Sequence, residues 1–388
     1  MKNISNSNFI VVAHILTSVP SEDLKQYLIN KKVKNLLYIG HPLYYMKGRP
    51  GSFYEVYKKG ILLKKIEYPN LSMPALPRYF IDFFLTTFWV FRHHKKWDIV
   101  ISLDNLNTIS ALFLRLIGQT KKVIYYTIDY TPQRFVNSIL NNFYHYLDKV
   151  CLKYADLTWN VSPRIAEGRE KIQGLEQNVY NKQIVVPIGV WPSKKKSKNL
   201  LKIHKHTLVY AGGLSKHQGV QLVLKAIPLI VKKIKDFKFI VIGLGGYESE
   251  LKKMCKRLKI EKYVEFKGYI EKHEDVMKII SQCGLAVAMY NKNFAKWSYY
   301  ADPSKIKAYL GAGVPVITTN LTYLAQELVD NKCGLVVPYN HRAFALLVVE
   351  YLEYSYSLKS YREHAIKFSN KFAWDTIFDA ALTKLYKF

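Results

Sequence analysis

Short apolar runs recur along this chain with room between them for helices, and that alternation restricts the fold more than any other feature. In the first half they fall at residues 9–16, 35–39, 98–102, 122–127, 157–161 and 183–187. In the second half they fall at 207–211, 238–243, 263–266, 284–289, 314–318 and 334–337. Strands covered by helices on both faces read as near-continuous apolar runs, and strands joined through helices pair in parallel. The expectation is two α/β units, each a mostly parallel, doubly wound sheet. Residues 220–234 show the helical part of the pattern, with Val220, Val223, Leu224, Ile227, Ile230, Val231 and Ile234 spaced for one buried stripe.

Between the two series, residues 191–199 carry Pro192, Ser193 and a run of lysines (Lys194, Lys195, Lys196, Lys198) that interrupts all periodicity. An interdomain linker is expected there, giving domains at 1–192 and 193–368. From 369 to 388, Phe372, Trp374, Ile377, Phe378 and Leu382 sit on a helical repeat that either closes the second domain or crosses back to the first.

At 49% hydrophobic and 22% charged, the chain has enough apolar material for full cores, which excludes a disordered protein. Against 29 Asp and Glu stand 58 Lys and Arg, a formal +29 that implies an acidic neighbour: nucleic acid, an anionic membrane surface or phosphate-bearing substrates. Solvated lysine-rich surface accounts for part of this excess. Cys151, Cys255, Cys283 and Cys333 are too far apart for a disulfide framework or a zinc site, so a reducing cytosol is expected. The run at 9–16 is too short for a signal peptide, and no run reaches the roughly 18–20 apolar residues of a spanning helix.

Three places carry the pattern of a phosphate site. In Asp302-Pro303-Ser304-Lys305, Asp302 suits the cap of a helix, Pro303 its first position and Gly313 its end. First-turn amides and the helix dipole favour an anion there, with Lys305 as a point charge. Gly212 and Gly213 follow the first strand of the second half and lead through Lys216 to Gly219; Gly243, Gly245 and Gly246 follow the next. Glycines at such turns let a diphosphate approach the backbone, although each alone is also an ordinary tight turn.

These turns, with Val264-Glu265-Phe266-Lys267-Gly268-Tyr269-Ile270 and Gly313-Val314-Pro315-Val316-Ile317, resemble the second domain of the GT-B glycosyltransferases, and most closely their large retaining family 4. The resemblance covers about residues 208–338 and implies a GT-B fold of two Rossmann-like domains facing across a cleft. It implies transfer of a sugar from a UDP- or GDP-type donor to a saccharide or lipid-linked acceptor, with retention, no metal and no separate cofactor. It gives the diphosphate to Ser304 and Lys305 beside Gly212, Gly213 and Gly245, and the base to the backbone around Tyr269. The chain departs from the family where an arginine and a lysine usually touch the diphosphate, at Gly213 and Gln218. It departs again at Tyr300 and Ala308, where two glutamates are usual. Lys216 is then the candidate to replace one missing charge.

The first domain is expected to supply the acceptor side. Asp129 and Asp104 follow apolar runs and are the candidate catalytic carboxylates, Asp129 preferred; a helix cap or turn is the plainer alternative for each. His14 and His41, near the ends of the first two strands, read as buried or loop histidines. Residues 78–96 mix seven aromatic residues (Tyr79, Phe80, Phe83, Phe84, Phe88, Trp89 and Phe91) with Arg92, His93, His94, Lys95 and Lys96, as in a helix lying in a membrane interface; an apolar helix packed on the sheet fits equally. The expected location is cytosolic, with the inner face of a membrane as the alternative. A non-catalytic scaffold, suggested by the lost charges, is the second reading. A nucleic-acid partner is not expected, since no recognition module is present, and a dinucleotide oxidoreductase lacks its Gly-x-Gly-x-x-Gly turn.

Overall fold

The computed structural model describes residues 4–15, 20–43, 51–70, 73–93, 96–175, 183–191, 203–291, 293, 296–353 and 358–387. Two compact units result: Met1–Pro187 with Trp374–Phe388, and Ile188–Ala373. The chain therefore changes unit at Pro187 and again at Trp374, where residues 192 and 368 were expected. Most of the 191–199 stretch, including its lysine run, lies outside the described residues, as do His94 and Lys95.

The first unit contains β1 (Asn8–Ile15), α1 (Pro20–Asn30), β2 (Asn35–Pro42), β3 (Phe53–Lys58), β4 (Ile61–Glu67), α2 (Ala75–Arg92), β5 (Trp97–Leu103), α3 (Asn105–Leu116), β6 (Thr120–Thr127), α4 (Ser138–Tyr154), β7 (Leu157–Asn160), α5 (Pro163–Gln173) and β8 (Gln183–Val185). Its eight strands run in the order β4-β3-β2-β1-β5-β6-β7-β8. β1, β2 and β5 to β8 pair in parallel, and β3 and β4 add an antiparallel hairpin at one edge. That hairpin escaped the sequence because β4 is exposed nearly throughout, so Ile-Leu-Leu-Lys-Lys-Ile-Glu carries no alternation. Lys64 and Lys65 suit an edge strand, where charge discourages pairing with another chain.

α2, α3 and α4 pack in succession, Phe83 of α2 lying 5.5 Å from the Phe113 ring of α3 and Asn105 of α3 donating to the Tyr144 carbonyl of α4. Beneath them Arg169 of α5 is fully buried. It donates to both Asp148 oxygens (2.9 and 2.7 Å), Asn160, Gln183 and Thr127, linking α4 and α5 to β6, β7 and β8. The Tyr125 hydroxyl donates to the same carboxylate at 2.7 Å.

The second unit contains β9 (His204–Ala211), α6 (Val220–Ile230), β10 (Lys238–Ile242), α7 (Glu248–Leu258), β11 (Val264–Gly268), α8 (His273–Ser281), β12 (Cys283–Ala288), α9 (Ser304–Gly311), β13 (Val316–Thr318), α10 (Ala325–Asp330), β14 (Gly334–Val336), α11 (His341–Glu353) and α12 (Leu358–Ser369). All neighbours are parallel in the order β11-β10-β9-β12-β13-β14. This is the doubly wound dinucleotide-type order, whose ligands sit at the carboxyl ends of strands where the winding reverses. The last helix, α13 (Trp374–Lys387), belongs with the first unit, its Phe378 ring 5.1 Å from Tyr27 and its Asp379 accepting from the Tyr27 hydroxyl at 2.6 Å. The four cysteines are free and buried. Among the described residues, no helix is long and apolar enough to cross a membrane.

Candidate active site

The winding of the second sheet reverses between β9 and β12, and the glycine turns converge there. Gly243 has φ 124°, and a Cβ on it would stand 2.1 Å from the Gly212 carbonyl oxygen. Two hydrogen bonds, from Gly212 N to Ile242 O (2.9 Å) and Leu214 N to Leu244 O (3.0 Å), zip the two turns together. At Gly219, φ 77°, a Cβ would meet the Met289 carbonyl oxygen at 1.9 Å, so the loop after β9 rests on the end of β12. Gly213 is different: the space beside it is open for at least 4 Å.

Into this junction α9 delivers Lys305. Its ammonium donates to Gln218 and lies 5.4 Å from the Tyr210 ring centroid and 5.9 Å from that of Tyr290. One turn later Tyr309 accepts from the Ala211 amide at 2.8 Å, fixing α9 to the end of β9. Tyr210 in turn donates to the Gly213 carbonyl at 2.7 Å. Every one of these partners is neutral. Burial without a counter-charge pushes the Lys305 ammonium down to about 8. Burial and the Lys305 charge also lower the pKa of neighbouring His217.

Asp302 does not cap this helix, contrary to the sequence reading. Pro303 holds the cap position, with no side-chain cap bond. The buried Asp302 carboxylate instead pairs with Lys307 at 2.5 Å, accepts from Tyr323 at 2.8 Å and accepts from the Ile188 amide, while Lys307 donates to the Ile188 carbonyl at 2.8 Å. The pair thus staples the incoming chain to the helix start. Of the first-turn amides, Pro303 has none, that of Ser304 bonds to the Asp302 carbonyl and that of Ile306 to the Pro303 carbonyl. The amide cradle is therefore thinner than expected, and the Lys305 charge matters more.

The other sequence candidates lie at the same edge with less contact. Ser304 and Lys216 are exposed. Tyr269 is 72% exposed and packs under nothing, which removes the alternative of a core aromatic. It follows Gly268, whose carbonyl accepts from Gly243 N at 2.7 Å, so it stands beside the glycine turns. Gly245 packs against the Leu214 backbone, where a Cβ would stand 2.1 Å from the Leu214 carbonyl oxygen. Tyr210, Tyr290 and Tyr309 were missed: each reads in sequence as one more core aromatic.

In the first unit the winding reverses between β1 and β5, and there the structure gathers His14, Asp82 and Asp104. His14 Nδ1 lies 2.7 Å from Asp104, and its Nε2 faces Asp82 at 3.5 Å. Asp82 also contacts His41 at 3.2 Å and accepts from Ser52 at 3.2 Å. Burial disfavours charge on His14, but Asp104 and then Asp82 outweigh it and hold its pKa up at about 10. Burial would raise the Asp82 carboxyl, yet its two histidine neighbours keep it below the usual carboxylate range. Asp104 caps α3 by accepting from Asn107 N at 2.9 Å and does so at φ 78°, a strained value for a non-glycine residue. Asp129, preferred in sequence, lies apart, 58% exposed and paired with Arg134. Asp82 was missed; its only signal was a polar stripe, Arg78-Asp82-Thr86, at helical spacing.

The stability of this cluster has a sign. The folded-state pKa of His14 exceeds the unfolded value, so the pair stabilises fully below about 6.5 and is lost as pH rises through about 10. Thermal unfolding of Asp104→Asn, compared with wild type, is expected to show a deficit of about 2 kcal/mol at pH 6 that shrinks toward pH 10. A deficit independent of pH would assign the effect to the helix cap alone.

The family model for glycosyl transferases group 1 matches residues 193–368, which contain every element of the β9–β12 site. Residues 193–368 are thus similar to the group 1 glycosyl transferases. An uncharacterized glycosyltransferase of Haemophilus influenzae is 26% identical over 140 residues, which are 34% of this chain and about a third (35%) of that protein. HepE of Anabaena, solved in complex with UDP, superposes with a TM-score of 0.69 over 98% of this chain and 100% of its own, at 14% identity. A glycosyltransferase of Rickettsia africae gives 0.69 over 98% of each chain at 15% identity. The fold is thus GT-B in both units, and Lys305 stands at the reversal point of the unit that the family model matches.

Proposed function

We propose that this protein is a glycosyltransferase that takes a sugar from a UDP- or GDP-type nucleotide sugar and adds it to a saccharide or lipid-linked acceptor at an anionic membrane surface. The observation that carries this reading is Lys305, a partly buried cation with neutral partners at the reversal point of a group 1 domain. When the bond between the sugar C1 and the diphosphate breaks, negative charge grows on the leaving oxygen. A cation already desolvated and fixed stabilises that charge without reorganising, with the α9 dipole adding to it. No metal is invoked, and retention of configuration is carried over from the family resemblance. Asp104, strained and backed by His14, is the carboxylate assigned to orient the acceptor hydroxyl, ahead of Asp129. A scaffold that bound no donor would gain nothing from an unneutralised lysine here. Thermal-shift screening with UDP, GDP and their sugars tests the donor class, since a ligand specific for the folded form raises the melting temperature. No shift with any of them would sink the proposal.

The Lys305 titration sets a pH dependence. The ammonium is charged below about 8 and neutral above, so diphosphate affinity should be flat up to that pH and fall by up to about tenfold per further unit. Calorimetric titration between pH 6.5 and 9.5 measures this, and an affinity constant throughout would place the diphosphate elsewhere.

A further inference from the structure

α2 is turned inside out. Arg78, Asp82, Thr86, Trp89 and Val90 face the protein, putting polar side chains against the His14 and His41 cluster. Leu76, Phe80, Phe84, Phe88 and Phe91, one stripe at three- and four-residue spacing, face outward with Phe80 and Phe84 about two-thirds exposed (67% and 65%). An amphipathic helix covering a sheet does the reverse. The neighbouring helices of the same layer extend the apolar face. α3 leaves Phe113, Leu116 and the following Ile117 exposed, and α4 leaves Ile139, Phe143 and Tyr146 exposed. Monomeric soluble proteins rarely show so many large apolar side chains together.

Charge identifies the occupant. Asp82 and Asp148 are the only acidic residues in these three helices, and both are buried. Arg92, Lys149 and Lys153 are exposed, and the chain carries a formal +29. The outer face therefore offers phenylalanines and cations with no exposed carboxylate among its helical residues. Rings of this kind sit in the headgroup layer of a bilayer while lysines and arginines meet anionic lipid. A second copy of the same face would oppose cation to cation. Because no described helix is suited to crossing the bilayer, the mode is docking at the surface.

We infer that the outer face of α2, continued by the end of α3 and by α4, seats the protein on the headgroup layer of an anionic lipid bilayer. This deepens the acceptor side of the proposed function and rests on it only for its purpose, because a bilayer-seated first unit would meet a lipid-linked acceptor where it resides.

The test is flotation of the full chain with vesicles of phosphatidylcholine alone and of phosphatidylcholine with phosphatidylglycerol. Wild type should float with the anionic vesicles, weakly or not at all with the neutral ones, and less as salt rises. The triple variant F80S/F84S/F88S should lose about a hundredfold in partitioning. Its circular dichroism and nucleoside-diphosphate binding should match wild type, since these side chains support neither. A second variant, K149E/K153E, should weaken anionic binding and leave apolar exposure untouched. Wild type that ignores anionic vesicles, or an F80S/F84S/F88S variant that floats like it, overturns the inference. So does a wild-type dimer in light scattering that this variant turns into a monomer, which would make a second copy the occupant. Vesicle binding without any donor binding would leave the docking face standing and remove the transferase reading.

Discussion

Lys305→Ala is expected to lower sugar transfer by about a hundredfold to a thousandfold without unfolding the protein. The loss is large because Gly213 and Gln218 stand where the glycosyltransferases this chain resembles carry an arginine and a lysine, and the other candidate cation, Lys216, is exposed rather than held in the junction. Stability should move the other way. A lysine whose pKa falls to about 8 weakens the fold below that pH, and the penalty is relieved as pH rises from about 8 to 10.5. Lys305→Met, which fills the same space without the charge, should therefore stabilise by on the order of 1–2 kcal/mol at pH 7 while abolishing most activity. Radiolabelled transfer assays with chemical denaturation of the same preparations check both halves. A variant that loses activity only in proportion to lost stability would show a structural lysine.

Asp148→Ala is expected to destabilise the first unit by on the order of 4 kcal/mol, because it strips the fully buried Arg169 of its carboxylate. Removing both charges should cost less than removing one: Asp148→Ala with Arg169→Met leaves apolar neighbours where the single variant leaves an uncompensated guanidinium. Urea unfolding followed by the tryptophans of this unit measures the difference. Equal stability of Asp148→Ala and wild type would mean that water reaches Arg169 and the network contributes little.

The parallel strands were legible in the sequence because burial on both faces leaves dense apolar runs, as in Leu-Val-Tyr-Ala at β9 and Leu-Ala-Val-Ala at β12. The hairpin of β3 and β4 was not, since an exposed edge strand obeys no burial pattern. The helix at Lys305 was found from its Pro and Gly punctuation, but the role of Asp302 was misread. Locally, Asp-Pro-Ser is a good helix start; the pull of Lys307 and the chain at Ile188, contacts remote in sequence, decided the carboxylate's place. The partners of Lys305 come from β9, the loop after it and the end of β12, which no window of sequence contains. Similarly, His14, Asp82 and Asp104 lie far apart in the chain and meet only through strand order. The two faces of α2 were readable as stripes, whereas which of them points inward was a tertiary fact.

The most direct measurement is calorimetric titration of UDP and GDP into wild-type protein and Lys305→Met at pH 7. One of the two nucleotides should bind wild type in the micromolar range, with affinity reduced by about a hundredfold in Lys305→Met. Equal affinity in the two proteins, or no binding of either nucleotide by wild type at millimolar concentration, would contradict a donor-diphosphate site at the β9–β12 reversal point.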